Sequence, residues 1–308
     1  MGEKIKVGIV APVHNRKELT LLCLRSIRRF DRTTSEIFSV IVDDGSTDGT
    51  SEAIAAEFPE VEVIKGDGNL WFTEGTNVGV RAALKRGADY VLMINDDQVF
   101  DESAVKFLVE TAERFPRSVV GPLLLLWDTP HKLFQTAPIW NTWLGGWRHW
   151  HKQTVWTVPE RPFKVEIIVG NCVLVPAAAI REVGLMNSLR YPNFGDAEFT
   201  PRLRSKGWRL IIDPRSKVFC QPNTEPTRVM EMNWRSKLRN LLVDTGHGQN
   251  FRRRFRAMYD SAPSRPAGIA AFFIFFLRVI ARRNVEGSWA LTQEEPPLST
   301  TFRDRMVD

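Results

Sequence analysis

Cysteine is scarce in this 308-residue chain: Cys23, Cys172 and Cys220 are odd in number, far apart and never spaced as CxxC. That excludes a disulfide framework and a cysteine-built zinc site, and it fits a reducing compartment. The opening MGEKIKVGIV has no basic region followed by a long apolar run and a small-residue cleavage site, so no secretory signal is expected and a cytoplasmic location is. Lys6 stands where an N-myristoylation pattern needs Ser or Thr. Also missing are a GxGxxG after the first strand and a GxxxxGKS or GxxxxGKT anywhere, so neither a dinucleotide fold nor a P-loop has its phosphate cradle. Long apolar runs are absent too. The segment GIAAFFIFFLRVIA at 268–281 meets Arg278 after about ten residues, whereas a spanning helix needs roughly 20.

What is present is an ordinary globular composition, 43% hydrophobic and 25% charged, which excludes disorder and fibrous repeats. The net charge of +6 is unevenly spread. Residues 228–283 hold twelve Lys and Arg against three Asp and Glu, so the basic character belongs to the C-terminal part.

Residues 1–126 alternate β-branched runs with amphipathic stretches, the pattern of βαβ units feeding a mostly parallel sheet. Strands are predicted at 6–13, 38–44, 61–65, 88–96 and 118–126, with nearly continuous apolar runs that imply burial on both faces. Helices are predicted near 16–30, 48–58, 75–87 and 101–115, with Asp48 and Asp101 as starts. A strand at 165–176, helices at 176–184 and 196–206, and short strands at 209–214 and 216–222 complete the sheet late. The fold class is therefore α/β. Residues 1–225 are expected to form the catalytic domain, 226–286 a basic helical extension with helices at 228–260 and 266–283, and 287–308 a loose tail containing Pro296 and Pro297. Residues 127–165 interrupt the pattern with six of the ten tryptophans.

Three acidic clusters fall where strands should end: Asp43-Asp44 after VIV, Asn95-Asp96-Asp97 after VLMI, and Asp196 with Glu198 in GDAE. In open α/β sheets, ligands bind in the crevice beyond the carboxyl ends of the strands. Adjacent carboxylates there repel one another unless a cation or hydrogen-bond donors satisfy them. With oxygen ligands and no His or Cys cluster, Mg²⁺ or Mn²⁺ is the fitting ion, and such ions are commonly held together with substrate phosphates. A nucleotide diphosphate is the implied ligand. Taken singly, Asp43-Asp44 also reads as a solvated turn, Asn95-Asp96-Asp97 as a capped loop and Asp196 as a helix cap.

The segments VGIVAPVHNR, VIVDDGSTDGT, GDGNLWFTEGTNVGV, MINDD, GNCVLVP and GDAEFTPRLRSKGW, in that order over about residues 5–220, resemble the family-2 glycosyltransferases of GT-A fold, bacterial polysaccharide enzymes including rhamnosyltransferase-like members. The resemblance implies an inverting transfer of a sugar from a nucleotide diphosphate to an acceptor hydroxyl of a saccharide or lipid-linked saccharide. It puts Pro12, His14 and Asn15 at the edge of the nucleotide pocket, with Asp43 on the base and Asp44 supporting it. Asp96 then approaches the ribose or diphosphate. Asn95 opens and Asp97 closes the metal-binding Asp-x-Asp motif, with Asn95 a departure that lowers its charge. Asp196 becomes the general base, preceded by Gly195 where the family more often has Glu. Asn69, Trp71, Glu74 and Asn77 fall beside the donor.

Some features keep two readings. His131, His149 and His151 lack HxxxH spacing and read as surface or acceptor-site residues, while His247 in DTGHGQN is a candidate to reach the metal. Trp140, Trp143 and Trp147 either stack on an acceptor sugar or serve packing or contacts between copies. Segment 268–281, flanked by Arg265, Arg282 and Arg283, either lies at the inner face of the plasma membrane or packs on the domain. Two other functions compete: a nucleic-acid binder, from the FRRRFR run at 251–256, and a sugar-1-phosphate nucleotidyltransferase. The acidic strand ends disfavour the first, and PVHNRKEL lacks the Gly-rich basic loop of the second.

Overall fold

The computed structural model describes residues 4–134, 139–148, 154–170, 172–221, 239–243 and 250–280. The apolar, β-branched runs become strands β1 (Ile5–Val13), β2 (Ser35–Asp43), β3 (Glu62–Lys65), β4 (Tyr90–Ile94) and β6 (Ser118–Leu126). β6 is buried at every position, as a strand covered on both faces must be. Helices α1 (Lys17–Arg28), α2 (Thr50–Glu57), α3 (Trp71–Lys85) and α4 (Ala104–Arg114) alternate with them. Next come β10 (Cys172–Pro176), α5 (Ala177–Val183), α6 (Asp196–Ser205) and β11 (Arg209–Cys220). Short strands β5 (Gln98–Phe100) and β9 (Phe163–Lys164) pair with β11.

The sheet order is β3-β2-β1-β4-β10-β6-β11-β5. β1 pairs in parallel with β2 on one side and β4 on the other, and β2 with β3, while β10 runs antiparallel between β4 and β6. The chain moves outward from β1 through β2 and β3 and then returns to β1's other edge. The topological switch point therefore lies between β1 and β4, and the crevice at their carboxyl ends is where such sheets bind ligands.

Three boundaries differ from expectation for physical reasons. Ile168, inside the strand expected at 165–176, gives its N–H and C=O to the Thr200 hydroxyl at 3.2 and 2.9 Å, so the ladder starts only at Cys172. The two short strands expected at 209–214 and 216–222 are one strand, β11, whose pairing with β6 shifts register between Asp213 and Lys217. Asp48 does not cap α2, since Gly49 holds that position at φ 81°. Its carboxylate instead accepts the Thr50 N–H at 3.1 Å and the Lys17 N–H at 3.0 Å, tying the starts of α1 and α2 together.

Part of the Trp-rich insertion forms a hairpin, β7 (Ile139–Asn141) and β8 (Gly146–Arg148), around a 3-10 turn at Thr142–Leu144. Of the expected extension, the described part holds a π-helical turn at Arg239–Val243 and helices α7 (Phe251–Ser261) and α8 (Arg265–Ile280). The tail expected from 287 lies outside the described residues. Among the described residues, no helix is long and apolar enough to cross a membrane.

α3 lies unusually close to the sheet because glycines face it. A Cβ on Gly75 would stand 2.8 Å from Pro12 Cβ, and one on Gly79 2.3 Å from Val10 Cγ1. Gly79→Ala is expected to lose about 1–3 kcal/mol from overpacking, more than the ~1 kcal/mol that alanine gains as a helix former. Denaturant unfolding measures the difference; equal or higher stability would contradict the close packing.

Candidate active site

Sheet register brings the acidic clusters to one lip. Val13 at the end of β1 is level with Asp43 at the end of β2, and Val10 is level with Met93 on β4. Because β10 runs the other way, its first residue, Cys172, sits opposite Ile94, so Gly170 reaches the same edge as Asn95–Asp97.

Arg16, directly after β1, holds the switch point. Its Nη1 donates to Asp96 Oδ1 at 2.8 Å and to Asp97 Oδ2 at 3.2 Å. Asp96 is buried and also accepts from the Thr20 hydroxyl at 3.3 Å. Burial first, and then the neighbouring Asp97 charge, push the Asp96 carboxyl up to about 6 against the opposing pull of Arg16. Asp97 is the more open carboxylate, its side chain 18% exposed against 6% for Asp96.

Across the crevice the 14–15 turn is locked to β2. His14 Nδ1–H donates to the Asp44 carbonyl at 2.6 Å and its Nε2 accepts from Asn15 Nδ2 at 3.0 Å, which sets the ring's tautomer. Asn15 adopts φ 51°, a left-handed conformation that asparagine tolerates. There its N–H donates to Ser46 Oγ at 2.9 Å and its Oδ1 accepts the Thr47 N–H at 2.7 Å. Asp43 accepts from the Ser46 N–H at 2.9 Å and from the Ser51 hydroxyl. Asp44 takes three backbone N–H groups, from Gly68 at 2.8 Å and from Leu70 and Trp71 at 3.0 Å each. Both carboxylates thus shape the loops around the crevice, Asp43 the β2–α2 turn and Asp44 the 66–71 loop that carries Asn69. Trp71, gripped by Asp44, sits at φ 56° with its side chain largely in solvent. A bulky residue in that region stores strain, which is typical of functional positions.

Asp196 joins this lip from the start of α6. Its Oδ2 accepts the Gly170 N–H at 2.9 Å, and its burial raises its affinity for a proton against the lowering effect of backbone N–H groups. The approach requires glycine, since a Cβ on Gly170 would stand 2.2 Å from Asp196 Cβ. Gly195 has a similar cause: a Cβ there would meet Thr73 Cγ2 at 2.6 Å, so the Glu common at this position elsewhere has no room. The Thr73 hydroxyl accepts the Gly195 N–H at 3.1 Å and donates to the Tyr191 carbonyl, fastening the 191–195 segment to the start of α3. Glu198 pairs with Arg202 on its own helix at 2.5 Å.

Not every expected residue faces the crevice. Asn77 is buried, donating to the Met186 carbonyl at 2.9 Å and accepting the Met186 N–H at 3.1 Å, so its amide clasps α3 to the loop before α6. Glu74 serves the same clasp by accepting from the Ser188 hydroxyl at 2.7 Å, and it pairs with Arg81 of its own helix at 2.5 Å. Pro12 lies under α3 at Gly75. His247, His149 and His151 fall outside the described residues, and His131 stacks on Trp156 with ring centroids 5.4 Å apart. Trp140 and Trp147 pack edge to face at 5.1 Å, and Trp147 Nε1 donates to Ser261 Oγ of α7 at 2.9 Å, so these two rings are packing residues. Sequence reasoning missed Arg16 and Gly170, though both stand inside motifs it singled out, PVHNR and GNC.

A mixed sheet of this strand order, with carboxylates gathered at its switch point and one more brought in by a helix start, has the architecture of a GT-A fold. Solved structures agree on the fold. GalNAc-T7 with UDP, GalNAc and Mn²⁺ superposes with a TM-score of 0.62 at 14% identity, covering 91% of this chain and 57% of that one. The mannosyltransferase PcManGT from Pyrobaculum calidifontis, in complex with GDP-Man and Mn²⁺, gives 0.51 at 16% identity over 93% and 77%. The chain belongs to glycosyl transferase family 2, whose model matches residues 8–169. It is similar to the N-acetylglucosaminyl-diphospho-decaprenol L-rhamnosyltransferase of Mycobacterium tuberculosis, 24% identical over 208 residues that cover 60% of this chain and 67% of that one. It is also similar to the dTDP-rhamnosyl transferase RfbF of Shigella flexneri, 24% identical over 194 residues, 63% of each. The chain thus spans about two thirds of the length of these relatives.

Gly170→Ala is expected to displace Asp196 and lower kcat by about 10–100-fold, as misplacement of a reacting group does, with the KM for donor nearly unchanged. Steady-state kinetics decide; a parallel rise in donor KM with kcat intact would detach Gly170 from Asp196 positioning.

Proposed function

We propose that this glycosyltransferase moves a deoxysugar, with rhamnose the first candidate, from a nucleotide diphosphate to a hydroxyl of a lipid-linked saccharide, with inversion, at the cytoplasmic face of the membrane. The observation that carries the reading is Asp196, a half-buried carboxylate with a raised proton affinity, brought to the same lip as Asp97. The names of the two rhamnosyltransferase relatives support the donor and, for the mycobacterial one, the lipid-linked acceptor.

The oxygen-only donor set fits a hard divalent cation such as Mg²⁺ or Mn²⁺. A cationic group, the Arg16 guanidinium, already bridges Asp96 and Asp97. Among the described residues no three His, Cys, Asp or Glu side chains gather into a metal cage. The ion would therefore be held by Asp97 together with oxygens of the donor diphosphate, and when bound it would stabilise the negative charge of the departing diphosphate. Arg16 offsets the repulsion between the two carboxylates until the donor arrives, and its guanidinium then turns to the phosphates. The turns ordered by Asp43, Asn15 and His14 form the nucleotide side of the crevice, and the 66–71 loop with Trp71 borders the sugar.

Asp196 takes the proton of the attacking acceptor hydroxyl, a contribution of about 10²–10⁴-fold. The Gly170 N–H keeps the carboxylate oriented. The rival functions gain nothing from the geometry. Two of the arginines in the FRRRFR run lie over rings of the protein itself, Arg253 on Phe194 at 3.9 Å and Arg254 on Phe275 at 4.6 Å.

Asp196→Asn is expected to stop transfer by about 10²-fold or more while leaving donor binding intact; near-normal rates would remove the base. In the wild type, kcat should fall on acidification with an apparent pKa above the ordinary value of 3.8, because burial raises it. The same raised pKa makes the native state the stronger proton binder, so Asp196 costs stability as pH rises from 3.8 through its folded pKa, and the Asn variant should lose that slope. Asp97→Ala should abolish metal-stimulated turnover in a folded protein. Thermal stabilisation by a panel of nucleotide diphosphate sugars with Mn²⁺ identifies the donor. Stabilisation by UDP- or GDP-sugars, with none by dTDP-rhamnose, would overturn the sugar assignment.

A further inference from the structure

Helix α8 exposes an apolar face. From Pro266 to Leu277 it carries no polar side chain. Ala271 and Phe275 are buried, Gly268 presses on the Met258 carbonyl of α7, and the Phe275 backbone meets Gly145 of the β7–β8 turn. The opposite face holds Ile269, Phe273 and Leu277, at four-residue spacing and 38%, 58% and 62% exposed. Phe273 is continuous with α7 through Phe272: ring centroids lie 5.9 Å apart for Phe272–Phe273 and 5.2 Å for Phe255–Phe272. Phe255 is itself 36% exposed.

Among the described residues of the hairpin, the exposed charges have one sign. Arg252, Arg256 and Arg265 are exposed on the same hairpin, and Arg265 lies over the Tyr259 ring at 5.4 Å. Between 250 and 280 the single acidic residue is Asp260, and it is consumed by Arg190 at 2.7 Å and by the Tyr191 hydroxyl. A second copy of the chain brought to this face would set arginines against arginines. An anionic bilayer satisfies both halves of the surface: acyl chains take Phe273, Leu277 and Ile269, and lipid phosphates take the arginines.

We propose that the α7–α8 hairpin is a monotopic membrane anchor that lies in the headgroup layer of an anionic bilayer, with α8's Ile269–Phe273–Leu277 face inserted. The anchor is joined to the acceptor side of the site. Tyr191 bonds to the Arg256 carbonyl of α7 at 3.1 Å and to Asp260, and Arg253 covers Phe194, two residues before Asp196. A lipid-linked saccharide emerging from the bilayer beside α8 is thereby delivered to the segment that carries the base. This last step rests on the transfer reaction proposed above; the membrane contact does not.

Co-sedimentation of the full chain with phosphatidylcholine vesicles, with and without phosphatidylglycerol, tests the anchor without donor or metal. Wild-type protein should bind the anionic vesicles, and binding should weaken as salt is raised. The double variant Phe273→Glu, Leu277→Glu changes two largely solvated side chains and should bind about tenfold or more weakly with unchanged thermal stability. Arg252→Glu with Arg256→Glu should remove the preference for anionic lipid. Absence of wild-type binding, wild-type binding by the Phe273/Leu277 variant, or equal binding to neutral vesicles each overturns the proposal. So does a dimer in sedimentation analysis that the Phe273/Leu277 variant dissociates, which would mean that a second copy covers the face. Turnover on a free saccharide acceptor should be the same in wild type and the Phe273/Leu277 variant, whereas turnover on a vesicle-embedded acceptor should drop in the variant. Vesicle binding without any donor stabilisation would sink the transfer reaction and leave the anchor standing.

Discussion

Parallel pairing of β1 with both β2 and β4 is the constraint from which the site follows, because it carries carboxylates from separate stretches of chain to one edge, where they repel. The structure relieves that repulsion differently at each. Asp44 spends its charge on three backbone N–H groups, and Asp43 on a turn N–H and a hydroxyl. Asp96 and Asp97 share one guanidinium. Asp196 receives backbone N–H groups, that of Gly170 among them, but no cation among the described residues, and desolvation makes it hold its proton more tightly. That difference separates the work proposed for them: carboxylates satisfied by N–H groups shape loops, the guanidinium-bridged pair is the one assigned to the cation, and Asp196 is the one assigned to the acceptor's proton.

Close approach is the second device. Position 170 can come this close to Asp196 only as glycine, and α3 can sit on β1 only through Gly75 and Gly79. These contacts bring the start of α3 to the 191–195 segment, so that Thr73 links the loop held by Asp44 to the helix that begins with Asp196. Loop, helix and sheet close a ring around the crevice. A disturbance at one member is transmitted by hard contacts, because packed backbone has little room to yield.

Much of this was legible in the residues and some was not. The strands β1, β2, β3 and β6 announced themselves as apolar runs, and the acidic strand ends identified the lip. The antiparallel β10 was hidden, because direction leaves no trace in hydrophobic pattern, and only its reversal explains why Gly170 shares an edge with Asp97. β5 has three residues, too few for any period to show. Asn77 is a related case: it stands on α3 next to the 66–71 loop, but which way its amide points is decided by Met186, more than a hundred residues away. Arg16 stood in plain view within PVHNR, and its role depends on Asp96 and Asp97 some 80 positions further on. Residues chosen by local chemistry were recognisable, and those chosen by a distant partner were not.

The tryptophan-rich insertion shows the same limit and corrects the picture of the acceptor side. Its rings invited a sugar-stacking reading, yet Trp140 and Trp147 are occupied with each other and with Ser261, and the turn between β7 and β8 is seated on Phe275 of α8. The insertion therefore acts as a bracket for the helical hairpin. Trp143, 81% exposed, and Trp156, 76% exposed, keep free faces. The hairpin gains a rigid bed from the insertion on one side and from Tyr191 and Phe194 on the other, while its Phe273 face stays exposed. The proposed base, Asp196, and an exposed apolar helix are thus fixed to the same short segment of chain. That arrangement makes geometric sense for an acceptor whose reactive hydroxyl is tethered to a hydrophobic carrier, since the distance from the carrier's surface to the base is then set by the fold.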